Sequence, residues 1–199
     1  MPDIRHARLA LVVATAVVLA SCASNDGRTM KPPAAGQTDT IATATTLGEA
    51  VSDVSTMSVS GPWPNGGEID VRYTCEGEGI SPSLAWTPGP EDTQAYAITV
   101  VDMDDENAVP WVVTNIDFGA TTSPEGSVPA GGVVARNPTG AAAYDPPCPP
   151  AGSKHTYVVS VYALDALTPL EDDPDARTNI TDIEAAAIQA ATTVFTVSR

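Results

Sequence analysis

Short apolar runs separated by glycine and proline dominate the second half of this chain. "AYAITVV" (Ala95–Val101), "WVVTNI" (Trp111–Ile116) and "TYVVSVYAL" (Thr156–Leu164) are rich in β-branched and aromatic residues, the composition that predicts strands. Along the third run Tyr157, Val159, Val161 and Ala163 share one face while Val158, Tyr162 and Leu164 lean the other way. A strand apolar on both faces is predicted to be central and covered from both sides. Near the end the pattern changes: Thr181 and Glu184 stand at capping-box spacing before "IEAAAIQAA", predicting a helix that turns Ile183, Ala187 and Ile188 toward the sheet. Long proline-bearing connections such as Thr121–Pro147 read as surface loops, where binding groups concentrate. Together these elements predict a mostly β chain, an antiparallel β-sandwich with one or two peripheral helices.

The N-terminal third carries a different pattern. Arg5, His6 and Arg8 precede an apolar run from Leu9 to Ala20, closed by Leu19-Ala20-Ser21-Cys22. This predicts a lipoprotein signal peptide over residues 1–21, with cleavage before Cys22. The run is too short for a permanent span, which needs about 20 residues. Acylation at Cys22 would supply the two chains that stable anchoring requires and would place the protein on the extracytoplasmic face of a cell membrane. Residues 22–55, poor in large apolar side chains, read as the lipidated cysteine and a flexible tether, with a weak extra strand near Ile41–Leu47 as the alternative. Residues 56–199 are left as one domain.

Composition narrows the function classes. The net charge is −16, and it becomes one unit more negative once Asp3, Arg5 and Arg8 are removed with the signal peptide. Such a chain repels phosphate backbones and offers no basic patch, so nucleic acid is excluded as a partner. No P-loop, dinucleotide, G-x-S-x-G or H-E-x-x-H pattern occurs, and no cofactor is expected. Asn179-Ile180-Thr181 forms a glycosylation sequon that is read as chance in a bacterial-type lipoprotein.

Three groups of residues could carry chemistry. His155 and Tyr157 are two apart in an extended segment, so they project to the same side and offer donors to a ligand. Asp102, Asp104, Asp105 and Glu106 gather at a strand end. An EF-hand is disfavoured there, because its sixth and twelfth places hold Asn107 and Val113 instead of glycine and glutamate; a looser metal site or a solvated acidic turn are the remaining readings. Cys75 and Cys148 are the two thiols besides Cys22. They are open to two readings, a disulfide in an oxidising compartment or a Cys148/His155 nucleophile pair.

Three ordered segments resemble one family. "YTCEGEGISPSLAW" (Tyr73–Trp86) resembles Y-T-C-D-G-x-x-x-S-P-x-L-x-W, and "VDMDDENAVPWVVTNI" (Val101–Ile116) resembles D-P-D-A-P followed by H-W-x-x-x-N-I. "YDPPCPPAGSKHTYVVSVYALD" (Tyr144–Asp165) resembles Y-x-G-P-C-P-P-x-G-x-H-R-Y-x-F-x-x-Y-A-L-D. The set is similar to the phosphatidylethanolamine-binding protein family, in its bacterial Raf-kinase-inhibitor-like branch. The resemblance implies a Greek-key β-sandwich with peripheral helices and a small non-catalytic pocket for an anionic or zwitterionic ligand of the phosphoethanolamine kind. It places Pro149, Pro150, His155 and Tyr157 on one wall and Asp102 and Asp104 on the other, with Trp111 and Tyr144 beside them. It also implies an alternative role, a protein-interaction module that inhibits a kinase or protease. The chain departs from the pattern at Pro110, where the family has histidine before tryptophan, and at Met103, which replaces the proline of D-P-D. Asp145-Pro146 stands in place of the glycine before the proline turn. Pro110 supplies neither imidazole nor N–H, and Asp145 adds a carboxylate that repels phosphate.

Overall fold

The structure, a computed structural model, describes residues 56–105, 107–169 and 176–199. The expected signal peptide, Cys22 and the expected tether with its Ile41–Leu47 segment lie outside the described residues. Nine strands are described: β1 (Val59–Ser60), β2 (Gly67–Glu68), β3 (Leu84–Trp86), β4 (Ala95–Asp102), β5 (Trp111–Asp117), β6 (Thr122–Ser123), β7 (Val133–Val134), β8 (Lys154–Leu164) and β9 (Ala187–Ser198). One helix, α1, runs from Ala176 to Ala186. The three runs picked out by their patterning are β4, β5 and β8, each within two residues of its expected bounds.

The strands form a six-stranded sheet in the order β2-β9-β8-β4-β5-β7 and a three-stranded sheet in the order β1-β3-β6. Within the larger sheet β4, β5 and β7 follow one another antiparallel, and β8 returns to pair with β4 on its other side. That spatial order is a Greek key. Only β2 runs parallel to its neighbour, β9. The central position expected for β8 holds: it pairs along its length with β4 and with β9.

The two faces of the large sheet are buried differently. One face packs on the small sheet, where Tyr96, Ile98, Val100, Tyr157, Val159 and Val161 meet Leu84 and Trp86, and Trp86 meets the edge of Tyr96 at 5.7 Å. The other face carries Ala95, Ala97, Val112 and Leu164 and is covered by Ala176 and Ile183 of α1. Alternation along β4 and β8 therefore feeds two cores, and full burial of an aliphatic side chain such as Ile183 is worth about 1.5–3 kcal/mol.

The helix is shifted from its expected place. Thr181 lies in the middle of α1, and its hydroxyl donates to the Arg177 carbonyl at 3.1 Å, an internal bond that replaces the capping role. Ile183 is fully buried as expected, but Ala187 and Ile188 belong to β9, where Ile188 is exposed. The alanines that read as helix formers pair across the sheet, Ala190 opposite Tyr162 and Ala191 opposite Val161. Asn179 of the sequon is 2% exposed within α1, which leaves no room for a glycan.

Candidate ligand pocket

The end of β4 and the start of β8 lie side by side, with Asp102 opposite Tyr157 in the antiparallel register. His155 and Tyr157, two apart on β8, face the same way, their rings 6.5 Å apart. Asp102, 4% exposed, is held from three directions. Its Oδ2 accepts from His155 Nδ1 at 2.8 Å, and its Oδ1 accepts from the N–H groups of Asp104 at 2.8 Å and Asp105 at 3.2 Å. With Nδ1 donating to a carboxylate, the imidazole is fixed in orientation and Nε2 is left as its second polar atom. Beneath the pair, Tyr157 stacks on Phe195 at 5.1 Å, and Phe195 meets Trp63 edge-on at 5.0 Å. Burial first, then the neighbouring Asp102 carboxylate, push the Tyr157 hydroxyl well above its ordinary pKa, so it remains a neutral phenol.

The opposite wall is the turn from Asp145 to Pro150. The disulfide between Cys75 and Cys148, with α-carbons 5.3 Å apart, ties this turn to the segment after the 3-10 turn at Val71–Tyr73. That settles the two readings of the thiols: Cys148 is bonded to Cys75 and is no nucleophile for His155 to activate. The Cys75 N–H also donates to the Pro147 carbonyl at 3.2 Å, and Asp145 N–H to the Pro110 carbonyl at 2.8 Å. Gly79 comes so close that an added Cβ would lie 2.9 Å from Pro146 Cγ, and its φ of +67° also favours glycine. At the far end Gly152, with φ +82°, turns the chain into β8, and its N–H donates to the Arg199 carbonyl at 2.6 Å. Arg199 closes the back of the turn, bonding Glu76 at 3.1 Å and the Pro149 carbonyl at 3.4 Å. The rigid turn thus presents one fixed surface to the imidazole.

Between these walls is a pocket of ≈ 240 Å³. Asp102, His155, Tyr157, Pro149 and Pro150 line it, and so do Asp105, Pro110, Asp145, Pro146 and Cys148. Burial raises the Asp145 carboxyl pKa above its ordinary 3.8. Asp104 does not line this pocket; its Oδ2 accepts the Thr156 N–H at 2.6 Å and fastens the loop to β8. Trp111 and Tyr144 face a second cavity of ≈ 310 Å³ on the other side of the Pro110–Asp145 bond. They meet edge-on at 5.8 Å, and the Tyr144 hydroxyl donates to the Tyr73 carbonyl at 2.9 Å. Consecutive residues in extended chain point to opposite sides, which separates Pro110 from Trp111 and Asp145 from Tyr144.

Ligand atoms of Asp102, Asp104 and His155 lie within 4.8 Å of one another, a set that could in principle hold a metal ion. Their present bonds are to one another, to the Asp105 N–H and to the Thr156 N–H. Asp105 and Asp145 were legible only as an acidic turn and as a departure from the family pattern. Nothing local in the sequence signals that the two share a cavity, because they are brought together by the Pro110–Asp145 hydrogen bond and the disulfide.

The comparisons with known proteins agree with this architecture. A structure of YbcL from Escherichia coli is similar with a TM-score of 0.67 at 27% identity, covering 72% of this chain and 98% of that one. The homologue CT736 from Chlamydia trachomatis has a TM-score of 0.65 at 26% identity over 72% of this chain and 98% of its own. A UPF0098 protein of Mycobacterium tuberculosis is 33% identical over 74% of this chain and 75% of its own. LppC of the same organism, named as a candidate lipoprotein, is 34% identical over 79% of this chain and 77% of its own. Residues 59–198 match the model of the phosphatidylethanolamine-binding protein family, whose members are generally non-catalytic binding proteins; the chain belongs to that family.

Proposed function

We propose that this protein is a non-catalytic, lipid-anchored envelope protein that binds a small zwitterion of the phosphoethanolamine kind in the pocket between Asp102–Pro110 and the proline turn. The observation that carries this reading is the His155–Asp102 pair set in the wall of a half-open cavity. Asp102 is buried and takes three hydrogen bonds, so the imidazole is positioned in advance and little ordering entropy remains to be lost on binding. A zwitterion matches the mixed lining: its ammonium meets the carboxylates of Asp105 and Asp145, and its phosphate reaches the imidazole. Disulfide-bonded Cys148 leaves no activated nucleophile at the pocket among the described residues, which supports binding without chemistry. The lipobox ending at Cys22 and the similarity to LppC support anchoring at the envelope.

Calorimetric titration of the full chain with phosphoethanolamine tests the reading, with Pro110→His run beside it. Saturable heat in the natural protein is expected. Heat that appears only in Pro110→His would mean that the pocket does not work without the imidazole that the family carries there.

A further inference from the structure

The lining of the pocket is rich in acceptors and poor in donors. Its carboxylates are Asp102, Asp105 and Asp145, and no lysine or arginine lines it. Lys154, the neighbour of His155, is exposed, while Arg199 is behind the turn, engaged with Glu76. Backbone donors are few: among the lining N–H groups outside the strands, those of Val109 and Cys148 have no acceptor among the described residues. Pro110, Pro146, Pro147, Pro149 and Pro150 line the pocket and carry no N–H. The N–H groups of Asp102, Ala108 and Asp145 donate to the carbonyls of Ala108, Asp105 and Pro110, and that of Asp105 donates to Asp102. The Tyr157 hydroxyl has the Asp102 carboxylate as its neighbour; burial and then that negative charge raise its pKa. With Nδ1 donating to Asp102, His155 Nε2 is an acceptor in the neutral ring and a donor only in the imidazolium; with the Tyr157 hydroxyl that makes at most two side-chain donors for an incoming anion, and a phosphate needs several.

The acceptors are in surplus. One oxygen of Asp105 takes the Asn107 N–H at 2.9 Å, and its other oxygen has no partner among the described residues. The Asp145 carboxylate has no hydrogen-bond donor among the described residues either. It is partly withdrawn from water, with its pKa raised by that burial, an arrangement that a cation entering the pocket would relieve.

On the reading that this pocket is the ligand site, we propose that it recognises the ammonium end of its ligand, a compact primary amine held by Asp105 and Asp145, and that phosphate contributes little to affinity. A primary ammonium carries three N–H donors and no acceptor, the complement of this lining. The proline wall completes the selectivity, since an anion meets five residues with no N–H to offer.

The test is a heteronuclear NMR titration of the full chain with ethanolammonium chloride, sodium phosphate and calcium chloride separately. Ethanolammonium is expected to give saturable shifts at His155, Asp105 and Asp145, with phosphate giving none. Asp145→Asn and Asp105→Asn are each expected to weaken ethanolammonium binding by about tenfold, the loss of one charge-assisted bond. Both residues stand at the protein surface or near it, so a variant that misfolds in one case leaves the other to decide. Saturation by phosphate with ethanolammonium inert would overturn this inference and leave the pocket reading standing. Saturation by calcium in place of ethanolammonium would overturn it in favour of a metal site. Silence from all three ligands and from phosphoethanolamine would sink both readings.

Discussion

Removing the disulfide should destabilise the protein strongly while leaving its native geometry in place. Cys75 and Cys148 are 73 residues apart in sequence. On the chain-entropy model, closing a loop of that length lowers the entropy of the unfolded chain enough to stabilise the fold by about 4 kcal/mol at 25 °C. Both cysteines are exposed, so Cys75→Ser/Cys148→Ser leaves no cavity. The turn also keeps its backbone bonds, Cys75 N–H to Pro147 and Gly152 N–H to Arg199, and the effect falls mainly on the unfolded state. The assay is urea unfolding of the double variant beside the natural protein, followed by tryptophan fluorescence. With a slope of about 2 kcal/mol/M, the midpoint should fall by about 2 M, and the thermal midpoint by about 10 °C. A midpoint within about 0.5 M of the natural protein's would refute the reasoning, because the turn would then be held by its backbone bonds and Arg199 alone.

The other predictions are more local. Asp102→Ala should cost about 3 kcal/mol in urea unfolding, since it strands the His155 ring and two loop N–H groups, and Asp102→Asn, which keeps an acceptor, should cost clearly less. Ile183→Ala should cost about 2–5 kcal/mol and Ile188→Ala less than about 0.5 kcal/mol; equal losses would contradict the division between α1 and β9. Tyr73, whose hydroxyl donates to Glu125 at 2.6 Å, has its pKa raised from 10.0 to about 12 by burial and then by that carboxylate. Tyr144 and Tyr157 are raised as well, first of all by burial. The folded state then binds more protons than the unfolded one above pH 10, so stability is fully present below that pH and falls as pH rises through about 12. Unfolding curves that do not change between pH 9 and about 12 would contradict this. Cys22→Ser should abolish palmitate labelling and release the protein from the membrane fraction; continued labelling would refute lipidation at that cysteine.

Much of the fold was legible because β4, β5 and β8 carry β-branched runs whose alternation feeds two separate cores. The segment "IEAAAIQAA" misled because alanine favours a helix locally, whereas in the fold Ala190 and Ala191 lie opposite Tyr162 and Val161 of β8. Pairing with all eleven residues of the central strand outweighs a preference of a few tenths of a kcal/mol per residue. The β-branched tail of β9, Thr192–Val194, was the available signal and lay beyond that alanine run. In the pocket, the pairing of Asp102 with His155 and Tyr157 follows from strand register and was within reach of the motif spacing. The contribution of Asp105 and Asp145 was not, because it depends on a disulfide and a loop-to-loop hydrogen bond between segments more than thirty residues apart.

The central claim is that the Asp102–His155 cavity is a working ligand site. It is tested most directly by solving a crystal structure of the full chain grown with phosphoethanolamine. The account predicts the ligand inside the cavity, with its ammonium against Asp105 and Asp145 and its phosphate toward His155 Nε2. A ligand seated against Trp111 and Tyr144 in the neighbouring cavity, or an empty pocket at saturating ligand, would contradict it.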